Sequence, residues 1–211
     1  MRLGYTNVLR MPHGYFGWTA TVSPDAGKPE DIPSVRVSAY FPACSLMLLD
    51  YRKDRDYLEI KHDQRSISLQ DIESDYIFIG FYNELCSSCV EEVKIYKAFY
   101  RRLLADGYLK TKIKMIGIGA GSKKRNVAKF RKQNEVPFPL FADESWDIFG
   151  CLGRPVLPVS YLILRHGERR IIRLIQSGHI GNAELLMAKV KSTIAVKEDD
   201  QAIPRKMGSG L

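Results

Sequence analysis

The chain has 211 residues, 45% of them hydrophobic and 27% charged, a globular composition that excludes wholesale disorder, collagen-like repetition and a coiled coil. At about 100 to 200 residues per domain, this length allows one domain and a small appendage. Lys and Arg number 32 against 24 Asp and Glu, and the formal charge of +8 points weakly to an acidic partner.

No apolar run reaches the roughly 18 to 20 residues that span a bilayer, and Met1 to Tyr15 lacks the basic start and long apolar stretch of a signal peptide. With Met1 as the true start the expected location is the cytoplasm. A missing upstream segment would instead allow a periplasmic or membrane-tethered protein. The stretch Ser23 to Ser34, with Pro24, Gly27, Pro29 and Pro33, reads as a linker. Next, Leu46 to Leu49 and Tyr57 to Ile60 flank a charged turn at Arg52 to Asp56 and are expected to pair as a hairpin, and Ser66 to Leu69 leads on to the centre of the domain. Tyr76 to Tyr82, Tyr-Ile-Phe-Ile-Gly-Phe-Tyr, is aromatic and β-branched almost without interruption, as a strand buried on both faces should be.

Immediately after that strand come Asn83, Glu84 and Leu85, then Cys86-Ser87-Ser88-Cys89. Val93, Tyr96, Phe99, Tyr100, Leu103 and Leu104 follow at helical spacing, so the cysteines open a helix. Asp106-Gly107 stops it, and Lys112 to Ile118 alternates into a second strand, completing a β-α-β unit. Ser122 is expected to cap a helix over Lys123 to Asn134. Val136 to Phe141 then leads into a short helical stretch near Asp143 to Trp146. Leu157 to Leu164 reads as a strand, Arg165 to Glu168 as a hairpin turn into Arg169 to Gln176, and Asn182 to Ile194 as a last amphipathic helix. The expected boundaries are an N-terminal extension with linker over 1–33, the main domain over 34–196 and a flexible tail over 197–211. The Gly117-x-Gly119-x-Gly121 run lacks dinucleotide-loop spacing and reads as a flexible strand-to-helix turn.

The positive surplus is concentrated between Lys94 and Lys132, where 13 Lys and Arg face Asp106 alone. Positives spread over two helices without base-reading motifs are a solvated face, and nucleic-acid binding is not expected. Four cysteines occur, at 44, 86, 89 and 151. A stapled secreted domain of this length would carry many more, whereas a lone Cys-x-x-Cys in a reducing compartment reads as redox or metal chemistry. Structural zinc usually takes two such pairs, and His13, His62, His166 and His179 are scattered without finger spacing.

The placement of the pair has a chemical reason. A thiol attacks a disulfide only as thiolate, and the unpaired N–H groups and positive dipole end of a first helical turn stabilise that anion. Cys86 sits where it benefits, and Cys89, one turn deeper, is placed to attack the mixed disulfide that Cys86 forms. Cys151, in Phe149-Gly150-Cys151-Leu152-Gly153, is read as a buried structural cysteine, with a place near the pair as the alternative; Cys44 is read the same way.

Tyr76 to Glu92, with its strand, Cys-x-x-Cys and trailing acid, resembles the thioredoxin-like superfamily, and within it the TlpA-type thiol-disulfide oxidoreductases and related redoxins, over about Leu46 to Ile194. The resemblance implies an α/β, thioredoxin-like fold: a central mixed β-sheet flanked by helices, here with the N-terminal extension and hairpin. Phe138-Pro139-Leu140-Phe141-Ala142-Asp143 looks like the family's strand before its short helix. Leu157-Pro158-Val159-Ser160-Tyr161-Leu162-Ile163 resembles its cis-proline strand. By that resemblance Cys86 attacks and Cys89 resolves, while a cis Pro158 faces the pair. The backbone of Leu157 then pairs with an extended substrate whose other contacts are Leu85, Ser87 and Ser88.

The chain also departs from the pattern. Leu85 stands where the family usually has an aromatic, and Ser87 and Ser88 where it often has Pro or Gly. Gly80 replaces the buried acid of thioredoxins proper, so a proton acceptor must come from elsewhere; Glu92 is the first candidate and Glu84 the second. A peroxiredoxin would want Pro and Thr before its cysteine and a helper Arg, which Tyr82-Asn83-Glu84-Leu85 does not supply. No bound cofactor is implied: the expected partners are protein disulfides or dithiols and a thiol reductant protein. From a different class, the pair could hold a soft metal such as Cu(I) with Cys151 or His179 as third ligand, or the fold could bind partners without turnover.

A second resemblance lies at the start. Leu3-Gly4-Tyr5-Thr6-Asn7-Val8-Leu9-Arg10-Met11-Pro12-His13-Gly14-Tyr15-Phe16-Gly17-Trp18 is similar to the closing segment of a rhodanese domain. That family's catalytic cysteine lies upstream of the matching segment, so no sulfurtransferase residue carries over. The alternative is a strand and turn anchored on the main domain by Trp18.

Overall fold

A computed structural model describes residues 35–202. The rhodanese-like segment with Trp18, the proposed linker and the last nine residues lie outside the described part.

Tyr76–Tyr82, β3, is buried at every position and forms the middle of a five-stranded sheet. Ile113–Ala120 (β4) lies parallel to it with Gly80 opposite Gly117, and Leu140–Asp143 (β5) lies parallel to β4 at the edge. On the other side Val159–His166 (β6) runs antiparallel to β3, with Phe81 opposite Val159, and Arg169–Ser177 (β7) completes the sheet. The β6–β7 connection is a tight turn in which Gly167 adopts φ 57°, a left-handed conformation that costs glycine little.

Alternation along β3 sends its side chains into two separate cores. Tyr76, Phe78 and Tyr82 face a cluster closed by the helix Ser87–Ala105 (α2), by Val127 and Phe130 of Lys124–Gln133 (α4), and by Leu186, Val190 and Ile194 of the last helix. Ile77, Ile79 and Phe81 face a second cluster containing Leu46, Leu58, Ile67, Ile148 and Phe149. Two fully dressed faces explain why the strand reads as an unbroken apolar run. The last helix begins at Ala183, where Asn182 Oδ1 accepts from Glu184 N and Leu185 N at 3.0 and 2.9 Å, and it continues to Ala202, beyond the point where the tail was expected to start.

The expected hairpin before the sheet does not form. Ser45–Met47 (β1) pairs instead with Ser66–Ser68 (β2), placing Leu46 opposite Ile67, and the charged stretch between them is the helix Tyr51–Leu58 (α1). Asp50 caps α1 by accepting from Lys53 N at 3.3 Å, and Asp54 and Leu58 bury at a spacing of four, which suits a helix and no strand. Asp54 is tolerated inside because Arg131 Nη1 of α4 donates to its Oδ1 at 2.7 Å.

Two smaller expectations also change. A short helix, Leu109–Lys112 (α3), precedes β4 because Asp106 Oδ1 accepts from Tyr108 N and Leu109 N. Lys123, not Ser122, is the residue before α4, and it makes no side-chain cap. Within the glycine run, Gly121 has φ 68° and lies under Trp146, whose ring leaves no room for a side chain there. No described helix is long and apolar enough to cross a membrane.

Candidate active site

β3 delivers the chain to the site through Asn83. Its Nδ2 donates to Ala120 O at the end of β4 (2.8 Å), its Oδ1 accepts from Leu85 N (2.9 Å), and its carbonyl accepts from Cys86 N (3.1 Å). One buried side chain therefore fixes where the next helix starts relative to the sheet. Cys86 is the N-cap of α2, extended at φ −92° and ψ 109°, and its Sγ accepts from Cys89 N–H at 3.3 Å. Ser88 Oγ lies 3.2 Å from the same sulfur. Open N–H groups and the positive end of α2 thus converge on the position a thiolate would occupy.

Cys86 and Cys89 are joined as a disulfide, with Cα atoms 5.2 Å apart. Their environments differ sharply. Cys86 is half-buried at the rim, whereas Cys89 is 0% exposed and packs with Val93, Tyr96 and Phe78. Ser87 and Ser88 are both exposed beside them.

The antiparallel β6 enters the sheet at this same end, since Val159 faces Phe81 one residue before β3 stops. The Leu157–Pro158 peptide that precedes it is cis, and Pro158 O accepts from Gly178 N at 2.9 Å. Leu157 is partly buried against both hydrophobic clusters. Two large apolar side chains stand open at this end of the sheet, Leu85 at 84% and Val156 at 64% exposure.

Glu92 lies one turn beyond Cys89 on the buried face of α2 and is itself 0% exposed. Its Oε2 meets His179 Nδ1 at 2.6 Å and accepts from Ile180 N at 3.4 Å, while Oε1 is buried with no hydrogen-bond partner. Burial pushes the Glu92 carboxyl above the usual range, and its bonds to His179 and the Ile180 amide counter that shift only in part. Below it, the Tyr96 ring covers Gly80: a Cβ there would stand 2.7 Å from Tyr96 Cε2. The position where thioredoxins proper hold an acid is thus filled by an aromatic ring. Burial, with Glu92 nearby, raises the Tyr96 phenol as well.

Glu84, the second candidate for proton acceptor, is engaged elsewhere. It accepts from Ser122 Oγ and, at 2.8 Å, from Asn126 Nδ2, fastening the start of α4 to the loop before Cys86. The other two cysteines do not join the pair. Cys151 is exposed at the end of the helix Asp147–Cys151 (α5), not buried as expected. Together with Cys44 it lines a cleft of about 290 Å³ beside the cluster opposite α2. Burial, together with Asp143 and Cys151, pushes the Cys44 thiol up to about 12. Among the described residues no three His, Cys, Asp or Glu side chains are grouped to hold a metal. Of the two residues named as a third ligand in the alternative copper reading, Cys151 lines that cleft and His179 meets Glu92 through Nδ1.

Of the residues singled out from the sequence, Cys86, Cys89 and Glu92 lie on the first turns of α2 after β3, and Leu157 and Pro158 precede β6 where it pairs with the end of β3. Sequence reasoning did not connect His179 to Glu92, which lies 87 positions away in the chain, nor did it single out Val156. No local signal joins that histidine to α2. Val156 had one, as a large apolar residue two positions before the proline of a strand entry.

The chain matches the AhpC/TSA family over residues 45–169, more than half its length. Among curated proteins it is 25% identical over 103 residues to the thiol-disulfide oxidoreductase ResA of Halalkalibacterium halodurans, covering 49% of this chain and 56% of that protein. It is 26% identical over 104 residues to ResA of Bacillus cereus, covering 49% and 57%. The chain therefore spans a little over half the length of the curated relatives it matches. Among solved structures, StoA from Bacillus subtilis superposes with a TM-score of 0.51 at 17% identity, covering 71% of this chain and 98% of that one. AhpC of Mycobacterium tuberculosis does so at 0.56 and 16%, covering 79% and 96%. The strand order, the helix-capping cysteine pair and these matches agree, and the chain belongs to the AhpC/TSA family of redoxins with a thioredoxin-like fold.

Proposed function

We propose that the protein is a thiol-disulfide oxidoreductase that exchanges electrons with protein disulfides through Cys86-Ser87-Ser88-Cys89. The observation that carries this reading is the unequal placement of the two sulfurs. One caps a helix at the rim, and its partner is wholly buried one turn on, within bonding reach. In the reducing direction the Cys86 thiolate attacks a substrate disulfide, and the substrate's other sulfur leaves with the electron pair. Cys89 then attacks Cys86, the mixed disulfide breaks, and the second substrate sulfur leaves as thiolate. Glu92 takes the Cys89 proton. Pro158 shapes the groove, the Leu157 backbone pairs with an extended substrate segment, and Leu85, Ser87, Ser88 and Val156 contact its side chains. A thiol reductant protein restores the dithiol.

The names of the curated relatives support this activity, and the surroundings of Cys86 favour it over peroxide reduction, since Asn83 and Glu84 are committed to holding the loop. The test is dithiothreitol-driven reduction of a protein disulfide such as those of insulin, with hydrogen peroxide as a competing substrate. Turnover lost in Cys86→Ser and strongly reduced in Cys89→Ser, without peroxide consumption, is the expected result. Faster turnover of peroxide than of the disulfide would replace the proposal with a peroxidase.

A further inference from the structure

We infer that His179 is a positioning residue: by holding Glu92 Oε2 with its Nδ1 it favours the carboxylate of Glu92 as the base that takes the proton from Cys89. The inference rests on the oxidoreductase reading and adds to it a group from outside the cysteine motif.

Cys89 and Glu92 are three positions apart on α2, where side chains lie side by side, and both are fully buried. Resolution of a mixed disulfide needs a base at that depth. Glu92 presents Oε1, which has no hydrogen-bond partner, while Oε2 is occupied by His179 Nδ1 and the Ile180 amide. His179 leads from this pocket toward water: its side chain is 54% exposed, and it enters from the loop between β7 and the last helix.

The other groups facing Glu92 supply no such counter-charge. On α2 itself these are Cys89 and the Tyr96 phenol; from β6 there is the buried Ser160 hydroxyl, near Tyr96. From the last helix, Glu184 pairs with Arg102 and Lys191 with Asp106, both at the far end of α2. The contact with His179 favours the charged form of Glu92, and with the imidazole removed burial raises the carboxyl further.

Glutathione disulfide reacts with the Cys86 thiolate, releasing one glutathione thiolate and leaving a Cys86–glutathione disulfide. Cys89 gives its proton to Glu92 and bonds to Cys86 Sγ, the bond to glutathione breaks, and glutathione leaves with the electron pair. The Cys86–Cys89 disulfide forms as the glutathione disulfide is reduced to two thiols.

To test this, reduced protein is mixed with glutathione disulfide at a series of pH values and quenched with acid, and the glutathione adduct and its decay are counted by mass spectrometry. His179→Leu should move the midpoint of the decay rate to higher pH by about one unit, a roughly tenfold loss on the acid limb. His179→Lys, which keeps a cation beside Glu92, should move it the opposite way. In a Glu92→Gln background, His179→Leu should produce no further shift. A packing role would slow both His179 variants alike and leave the midpoint where it was; that result, or a shift persisting without Glu92, overturns the inference while leaving the oxidoreductase reading intact. Failure of the wild-type protein to close its own disulfide at any pH would overturn both.

Discussion

If Cys86 attacks and Cys89 resolves, the two thiols of the reduced protein must differ greatly in their reaction with an external electrophile, and the structure sets the scale. Cys86 reacts from its place at the rim. For Cys89 to react, the first turn of α2 must open, removing its sulfur and neighbouring apolar surface from contact with Val93 and Tyr96. Opening also breaks the 3.1 Å bonds from Cys89 N and Val90 N to Cys86 O. Exposure of a small apolar side chain costs about 1–2 kcal/mol, and each backbone bond about 0.5–1.5 kcal/mol. The opened form therefore lies about 2–5 kcal/mol up, and Cys89 should react about 30 to 5,000 times more slowly than Cys86. Iodoacetamide labelling at pH 7.5 in Cys44→Ser, Cys151→Ser protein, followed by peptide mass spectrometry, measures the ratio directly. Equal rates, or faster labelling of Cys89, would refute the assignment of roles. In the unsubstituted protein Cys151 should label as an exposed thiol while Cys44 stays unmodified.

Glu92 should cost stability in proportion to its charge. Its carboxyl is raised in the folded protein, so the folded state holds more protons than the unfolded chain once the pH passes the unfolded value of about 4.3. Wild-type stability then falls as the pH climbs toward the raised value, and urea unfolding should show Glu92→Gln gaining on wild type over that window and matching it in acid; a constant difference would contradict the sign. Arg131→Met strands Asp54, which is 0% exposed, and should cost about 3–5 kcal/mol in the same assay, with much of the loss recovered in Arg131→Met, Asp54→Asn. Gly80→Ala forces a methyl against the Tyr96 ring and should destabilise by about 1–3 kcal/mol, whereas Gly107→Ala, which meets nothing within 4 Å, should not.

The parts of this molecule legible in the sequence were those fixed by local pattern. Tyr76–Tyr82 announces a central strand because both its faces are buried, and Cys86 announces a helix start because α2 shows its 3.6 period at once. The β6–β7 hairpin was marked by Gly167. What escaped was fixed from far away. Arg52 to Asp56 reads as a charged turn because Asp54 looks like surface, and its burial rests on Arg131 of α4 together with the Asp50 amide, both of which donate to its carboxylate. Ser122 looks like a cap, yet Glu84 at the other end of the β-α-β unit claims its hydroxyl. The candidate site divides the same way: its proposed nucleophile and resolving partner and its buried acid lie within seven consecutive residues, while the histidine bonded to that acid arrives by the topology of β7.

The central claim, that Cys86 and Cys89 cycle as a two-electron couple, is tested most directly by equilibrating the protein in metal-free glutathione redox buffers and counting free thiols. The account predicts one reversible two-thiol transition that is absent from both Cys86→Ser and Cys89→Ser, with a midpoint that sets whether the protein reduces or oxidises its partners. Thiols that show no transition across the buffer range, or a transition that survives in either variant, would contradict it.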